Sequence, residues 1–324
     1  MNKELKIFGV VAFFTLLLYW GVEPFAHSQM HKHVDYNNLV YDGKSDIAAA
    51  SKETKEAKTA FWADVKTIAA LKGDATAGET IYATICKNCH MDGAANMGGV
   101  TPPVLDHAGT IYDKNYLIAL IKDPAMASNV DHKYPNGTMS HPMGSVTAMV
   151  SEPQDIANVV AYIKANKAGA VTAKEAYEEA CGRCHANRYV KWTQIGTVPA
   201  TEKNLATGAD IDALKFKQAV AEEQALIADY MGKLPPDLSM IIRARSHHFL
   251  HTFIENPQSQ LAGTAMPRVG LNEEGMEKVM EYLQVSGDPS KPAREMAGPW
   301  VILFFIIFTV LAYFWKQAMW KDHY

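Results

Sequence analysis

The chain has 324 residues, 31 of them Lys or Arg against 35 Asp or Glu, for a net charge of −4, and it is 48% hydrophobic. With no basic run or patch, it lacks the electrostatic footprint of a nucleic-acid-binding protein. What remains is an ordinary folded body long enough for two domains of common size, with four cysteines gathered in two short runs.

After the short charged start Met1–Lys6, Ile7 to Val22 (IFGVVAFFTLLLYWGV) carries no charge over 16 residues. That is near the lower limit for crossing a bilayer core. A cleaved signal peptide would fit the basic start and the short apolar run. The following Glu23-Pro24-Phe25-Ala26-His27, however, gives no small-x-small cleavage site. Tyr19-Trp20 reads as an interfacial pair, so residues 1–30 are read as a retained anchor with Lys3 and Lys6 on the cytoplasmic side. His27, His31 and His33 fall just outside this span and read as interfacial. Residues 31–73 form the next unit, with Ser45 to Lys72 rich in Ala, Lys and Glu around Phe61-Trp62, the composition of a helical connector.

An internal repeat divides the rest. Residues 74–167 begin with a helix-like run in which Tyr82 stands four residues ahead of Cys86; residues 172–290 begin likewise, with Tyr177 four residues ahead of Cys181. Each unit ends in a similar helix, Asp155-IANVVAYIKA and Glu274-GMEKVMEYLQ, in which Val159 and Tyr162 correspond to Val279 and Tyr282. These aromatics are expected to pack where the first and last helices of each unit cross.

The cysteines lie in Cys86-Lys87-Asn88-Cys89-His90 and Cys181-Gly182-Arg183-Cys184-His185. Each is a C-x-x-C-H, the attachment signature of a c-type haem. Residues three and four apart on a helical turn share a face. Two thiols so placed can form thioethers to the two vinyl groups of one porphyrin, while His90 or His185 presents its imidazole to the iron. C-x-x-C is also a zinc hook, but a four-cysteine zinc site has no need of a His after each pair. The expected cofactors are therefore two covalently bound haem c groups.

The C-x-x-C-H motifs and paired helices resemble class I cytochrome c, and that resemblance implies a sixth iron ligand in the loop before each closing helix. In the second unit that loop offers Met266, in Met266-Pro267, six residues before Asn272. A His/Met pair raises a haem potential relative to two histidines. In the first unit Met149 is too close to the helix start near Ser151. Met143 is the choice by loop length, with Met139 as the alternative and His141 between them. His247, His248 and His251 read as exposed histidines near a haem edge rather than ligands. Finally, Gly298 to Trp315 is 18 residues without a charge, flanked by Trp300, Tyr313 and Trp315 and followed by Lys316 and Lys321. Residues 298–316 therefore read as a second span returning to the cytoplasmic side, which puts everything between the spans on the outer face.

Taken together, the paired helices, the C-x-x-C-H motifs and the Met loops resemble class I cytochrome c, twice over. The implied fold class is mainly α, with two class I cytochrome c-like haem domains between an N-terminal and a C-terminal transmembrane helix. In the second unit, Leu234-Pro235-Pro236-Asp237-Leu238-Ser239-Met240-Ile241-Ile242-Arg243-Ala244-Arg245 resembles the L-P-P-D-L-S-x-I-x-R-A-R segment of cytochrome c1, the haem subunit of quinol–cytochrome c reductase complexes. The resemblance covers about residues 172–324 and implies that Arg245 hydrogen-bonds a haem propionate, a pairing suited to the guanidinium fork. The class I cytochrome c resemblance implies that the Pro102-Pro103 and Pro199 stretches line the pocket wall opposite the axial His.

The partners implied are cytochrome b and a Rieske iron–sulfur protein as donors, and a periplasmic cytochrome c or terminal oxidase as acceptor. The location implied is the bacterial cytoplasmic membrane, with the haem domains on the periplasmic side. No catalysis is expected on this chain alone. The extra N-terminal haem domain departs from a single-haem cytochrome c1 and is consistent with a fusion to an attached cytochrome c. A dihaem subunit of a cbb3-type oxidase is the alternative, opposed by the C-terminal span and the Pro-Pro-Asp-Leu-Ser segment. A dihaem peroxidase would need a haem open to peroxide and is not expected to carry two spans.

Overall fold

A computed structural model describes residues 3–30, 34–96, 99–130, 143–165, 170–199 and 211–321. It is mainly helical; the β-structure among these residues is a two-strand hairpin, Trp192–Thr193 against Gly196–Thr197, and isolated bridges such as Tyr112 with Leu271.

Each half of the body between the terminal apolar helices is organised by a helix pair. The opening helix Ala75–Thr84 starts at Asp74, whose side chain accepts from the amides of Thr76 and Ala77 and so satisfies two otherwise orphaned donors. It crosses the closing helix Pro153–Ala165, with the Tyr82 and Tyr162 rings 5.0 Å apart. The second opening helix, Ala173–Tyr177, begins in a capping box between Thr172 and Glu175. It then widens into a π turn over Glu178–Gly182 that carries Cys181. Its crossing with Glu273–Gly287, which is capped by Asn272, brings the Tyr177 and Tyr282 rings to 4.8 Å.

Close approach at the first crossing needs Gly78. A Cβ there would lie 2.0 Å from the Asn158 carbonyl oxygen. Asn158 in turn accepts from the Asp74 amide at 2.8 Å through its side-chain oxygen, so the register of the crossing is fixed at both ends.

The halves share one core. Ile111, Ile118, Val159, Tyr177, Leu271 and Met276 belong to a single buried cluster. Backbone bonds join the halves directly: Asp113 N to Gly270 O and Asn272 N to Ile111 O, both 2.9 Å. Gly270 has φ +79° and lies under the Tyr116 ring, a place where a side chain would be both strained and obstructed.

The segment before the first unit is more than a connector. Helix Lys52–Ala70 buries Phe61, Trp62, Val65 and Ile68 in the common core. The chain ahead of it reaches the second half: Tyr41 Oη donates to Leu271 O, and the amides of Asn37 and Leu39 donate to the Glu255 carboxylate.

Among the described residues two helices are long and apolar enough to cross a membrane, Lys3–Ala26 and Lys291–Met319, and their apolar stretches are not buried within the protein. The second begins earlier than the uncharged run starting at Gly298. Arg294 holds Asp288 bidentately (2.7 Å to each oxygen) and Pro292 occupies the first turn, which welds the start of the helix to the end of the closing helix. Arg294 beside it holds the Asp288 carboxyl down at about 2. At the far end Lys316 pairs with Glu4, so the first turn of one apolar helix meets the last turns of the other.

Replacing Gly78 by Val should force the opening and closing helices apart. Overpacking of this kind typically costs about 1–3 kcal/mol. Thermal unfolding should show a lowered midpoint; an unchanged midpoint would mean that the crossing is not close-packed in solution.

Candidate haem sites

The two C-x-x-C-H runs fold alike. In each, the second cysteine's amide donates to the first cysteine's carbonyl (Cys89 to Cys86 3.2 Å, Cys184 to Cys181 3.1 Å). The histidine amide donates to that same carbonyl at 2.9 Å in both. One helical turn thus carries Cys, Cys and His in each half.

The histidine rings are also held alike. His90 Nδ1 donates to Pro103 O at 2.7 Å, and His185 Nδ1 donates to Pro236 O at 2.7 Å. A carbonyl only accepts, so Nδ1 carries the proton and Nε2 keeps its lone pair. Burial lowers the basicity of both rings, opposed by the proline carbonyls; at His90 the Arg183 charge lowers it further. A neutral imidazole anchored at Nδ1, with Nε2 available, is the donor state an iron ligand needs.

The Leu-Pro-Pro-Asp-Leu-Ser segment supplies that anchor in the second half. Asp237 accepts from the amides of Arg188 (3.1 Å) and Ser239 (2.9 Å). Leu238 N donates to Ala186 O at 2.9 Å, and the buried Ser239 hydroxyl pairs with the Asn187 side chain. The motif is therefore a staple that fixes the Pro236 carbonyl against the chain just after His185.

The expectation that Pro102-Pro103 lies opposite the axial His is corrected, because the Pro103 carbonyl binds His90 itself. Proline has no amide hydrogen, so its carbonyl serves the ring while the residue leaves no N–H in need of an acceptor. Pro199 is exposed.

An open cleft with a cavity volume of about 220 Å³ runs between the halves. Val100, Pro102, Pro103 and Leu105 from beyond the first motif wall it with Met143, and Arg183, Cys184, Pro267, Arg268 and Val269 face it from the second half. Helix Ile211–Met231 closes one end with Tyr230 and Met231. It is held there by buried Glu223, which accepts from Asn96 Nδ2 (2.9 Å) and Thr101 Oγ1 (3.0 Å) across the halves.

The axial candidates are placed unevenly. Met143 lines the cleft, just ahead of a short helix Gly144–Met149 that precedes the closing helix. Met139 and His141 fall outside the described residues. Met266 is half-buried, its amide donating to Thr264 Oγ1 at 3.3 Å, with Pro267 and Arg268 beside it on the cleft.

Arg245 is exposed, with its guanidinium 5.1 Å from the Phe249 ring centroid, while Arg243 pairs with Asp288 at 3.1 Å. His247 is exposed as expected. His248 and His251 are instead half-buried against Tyr36, and His248 Nε2 donates to Val34 O.

The Met266 loop carries an anchor with no local sequence signal. Arg268 and Asp46, at 4% and 1% side-chain exposure, form a two-pronged ion pair (3.0 and 2.5 Å), and Trp62 Nε1 donates to the same carboxylate at 3.1 Å. Asp46 and Arg268 are 222 residues apart in sequence, so no spacing rule joins them.

The residues fit a haem. Cys86 and Cys89, or Cys181 and Cys184, would carry the thioethers, and His90 or His185 would take the iron through Nε2. Zinc fits less well: burial pushes the Cys86 thiol up to about 11 and the Cys181 thiol to about 12, whereas zinc binds thiolates. Among the described residues no three His, Cys, Asp or Glu side chains converge as a metal site.

Comparison with known proteins agrees in part. Residues 75–167, from the first opening helix through the first closing helix, match the cytochrome c family. This part of the chain is a cytochrome c domain. Such a domain implies covalently bound haem c, and the Cys86–His90 motif lies inside the match.

The c-type cytochrome character extends to a weaker likeness. Over 195 residues, 44% of this chain and 79% of the relative, the chain is 22% identical to cytochrome c1 of Allochromatium vinosum. Over 202 residues, 49% of this chain and 85% of the relative, it is 22% identical to the ammonia monooxygenase gamma subunit of Nitrosomonas europaea. No solved structure matches the chain.

Replacing Asp46 by Asn leaves the Arg268 guanidinium buried without its counter-charge. Breaking one side of a buried pair costs about 3–5 kcal/mol, so the denaturant midpoint should fall sharply. The double change Asp46→Leu with Arg268→Met should recover most of that loss; equal stability of all three proteins would show that the pair is solvated.

Proposed function

We propose that this chain is a membrane-anchored dihaem c-type cytochrome, the cytochrome c1-type subunit of a quinol–cytochrome c reductase complex. The observation that carries the reading is the identity of the two C-x-x-C-H turns. The second has the same backbone bonds and the same Nδ1-to-proline carbonyl bond as the first, which lies in the cytochrome c domain. Support for the c1 role comes from the relative named cytochrome c1 and from the Pro-Pro-Asp-Leu-Ser staple around His185.

In this reading Cys181, Cys184 and His185, with Met266 as sixth ligand, form the unit that accepts electrons from an iron–sulfur protein. Cys86, Cys89 and His90, with Met143 or Met139, form the unit that passes them to a periplasmic cytochrome or terminal oxidase. Each bound haem supplies a one-electron iron couple. The protein's own contribution is to hold each imidazole neutral and aimed, to shield the pocket with apolar walls, and to keep both sites on one cleft. Tethering makes transfer between the sites intramolecular, so no tight docking is needed for that step.

In this reading Lys3–Ala26 and Lys291–Met319 act as two anchors whose ends, paired through Glu4 and Lys316, lie on the cytoplasmic side, as the flanking lysines favour. A second reading, an electron-carrying subunit of a monooxygenase, rests on the likeness to the ammonia monooxygenase gamma subunit. Partners retained in mild detergent distinguish the two: cytochrome b and a Rieske protein for the first, monooxygenase subunits for the second.

Cys86→Ala with Cys89→Ala should leave quinol-driven reduction of the second haem at its original rate and slow electron delivery to a soluble acceptor at least tenfold. This is measured by rapid-mixing absorbance on the intact complex. Loss of quinol-driven reduction at the second haem would reverse the order of transfer and overturn the assignment of the Met266 unit as the c1 unit.

A further inference from the structure

Arg183 occupies the third position of the second C-x-x-C-H and also lines the cleft between the halves. On a helical turn each residue advances about 100°. Cys181 and Cys184 share the face that meets their own porphyrin, so Arg183, one residue before Cys184, points off that face. Its Nε donates to Glu179 O at 2.9 Å, tying the stem back along its own helix. Among the described residues the two terminal nitrogens have no hydrogen-bond partner. The other cleft-lining guanidinium, Arg268, is already neutralised by Asp46. Across the cleft stand Pro102 and Pro103, the segment that holds His90, and the Arg183 charge is felt at that ring.

A c-type haem brings two propionates, and burying a carboxylate against protein is costly unless it is paired. A planar guanidinium pairs with a carboxylate through two parallel hydrogen bonds. We propose that Arg183 binds a propionate of the haem attached at Cys86 and Cys89, so that the second half of the chain completes the first haem's site. The two sites then share a structural charge, and the Cys181–His185 turn both attaches its own haem and secures its neighbour. This inference rests on the dihaem reading above.

The test is redox titration of the purified full-length chain, with the two waves assigned by the Cys86→Ala, Cys89→Ala protein, which keeps only the second. Removing the cation leaves the propionate uncompensated and favours the ferric state. Arg183→Gln should therefore lower the first haem's reduction equilibrium at least tenfold, about 59 mV for one electron. The second haem should move less than threefold, and haem content by pyridine haemochrome should remain at two.

Arg183→Lys keeps the charge but loses the fork, and should lower the first equilibrium by about two- to fivefold. It decides the question if the Gln protein fails to accumulate. An unmoved first wave, or a larger shift at the second haem, would overturn the role of Arg183 while leaving the dihaem reading intact. Fewer than two haems in the unaltered protein would overturn both.

Discussion

A single hydrogen bond, made twice, organises this protein: the proton on a histidine Nδ1 given to a proline carbonyl. It fixes the tautomer and the ring plane, and leaves Nε2 as the free donor in each C-x-x-C-H turn. Much of the surrounding structure serves those two carbonyls. Pro103 lies 13 positions after His90, and a short loop suffices. Pro236 lies 51 positions after His185. There the chain runs out through the hairpin and the helix Ile211–Met231, and returns as a segment stapled by Asp237 and Ser239. The Pro-Pro-Asp-Leu-Ser pattern is thereby a solution to a geometric problem: how to return a carbonyl to a defined point after a long excursion.

The halves are coupled rather than strung together. Tyr116 packs under the backbone at Gly270, its hydroxyl donates to Arg268 O at 2.8 Å, and Glu223 reaches across to Asn96 and Thr101. Glu179, two residues before Cys181, is buried with one carboxylate oxygen unpaired among the described residues. Burial pushes it up to about 8, partly offset by Arg183. Folded, the neutral acid is thus favoured at neutral pH. A group whose folded value is raised contributes its stability below its ordinary carboxylate range and loses it as pH rises towards 8. Ionising it would place a negative charge beside the second C-x-x-C-H turn, so the pocket resists charge on that side.

Features built from near neighbours were legible in the sequence. The tyrosines four residues ahead of Cys86 and Cys181 meet Tyr162 and Tyr282, and the helix caps at Asp74, Thr172 and Asn272 follow from side chains next to their own helices. The apolar helices were legible too, although both extend beyond their uncharged cores. Features built from distant residues were not. Asp46 with Arg268, and Glu255 with the amides of Asn37 and Leu39, join positions more than 200 residues apart. Only packing brings them together. The side on which Pro103 approaches His90 is hidden for a related reason: two prolines mark a rigid segment but not the direction in which it presents its carbonyl. The His248 and His251 rings, read as exposed, are covered by Tyr36 from the segment read as a connector.

The central claim is that one chain carries two haems, each bound through a C-x-x-C-H turn of the same construction. The most direct test is the intact mass of the denatured full-length chain, for the unaltered protein and for Cys181→Ala with Cys184→Ala. The unaltered protein should have the mass of the chain plus two haem adducts, and the variant the mass of the chain plus one. A single adduct in both would contradict it, as would a chain that releases its metal and carries none.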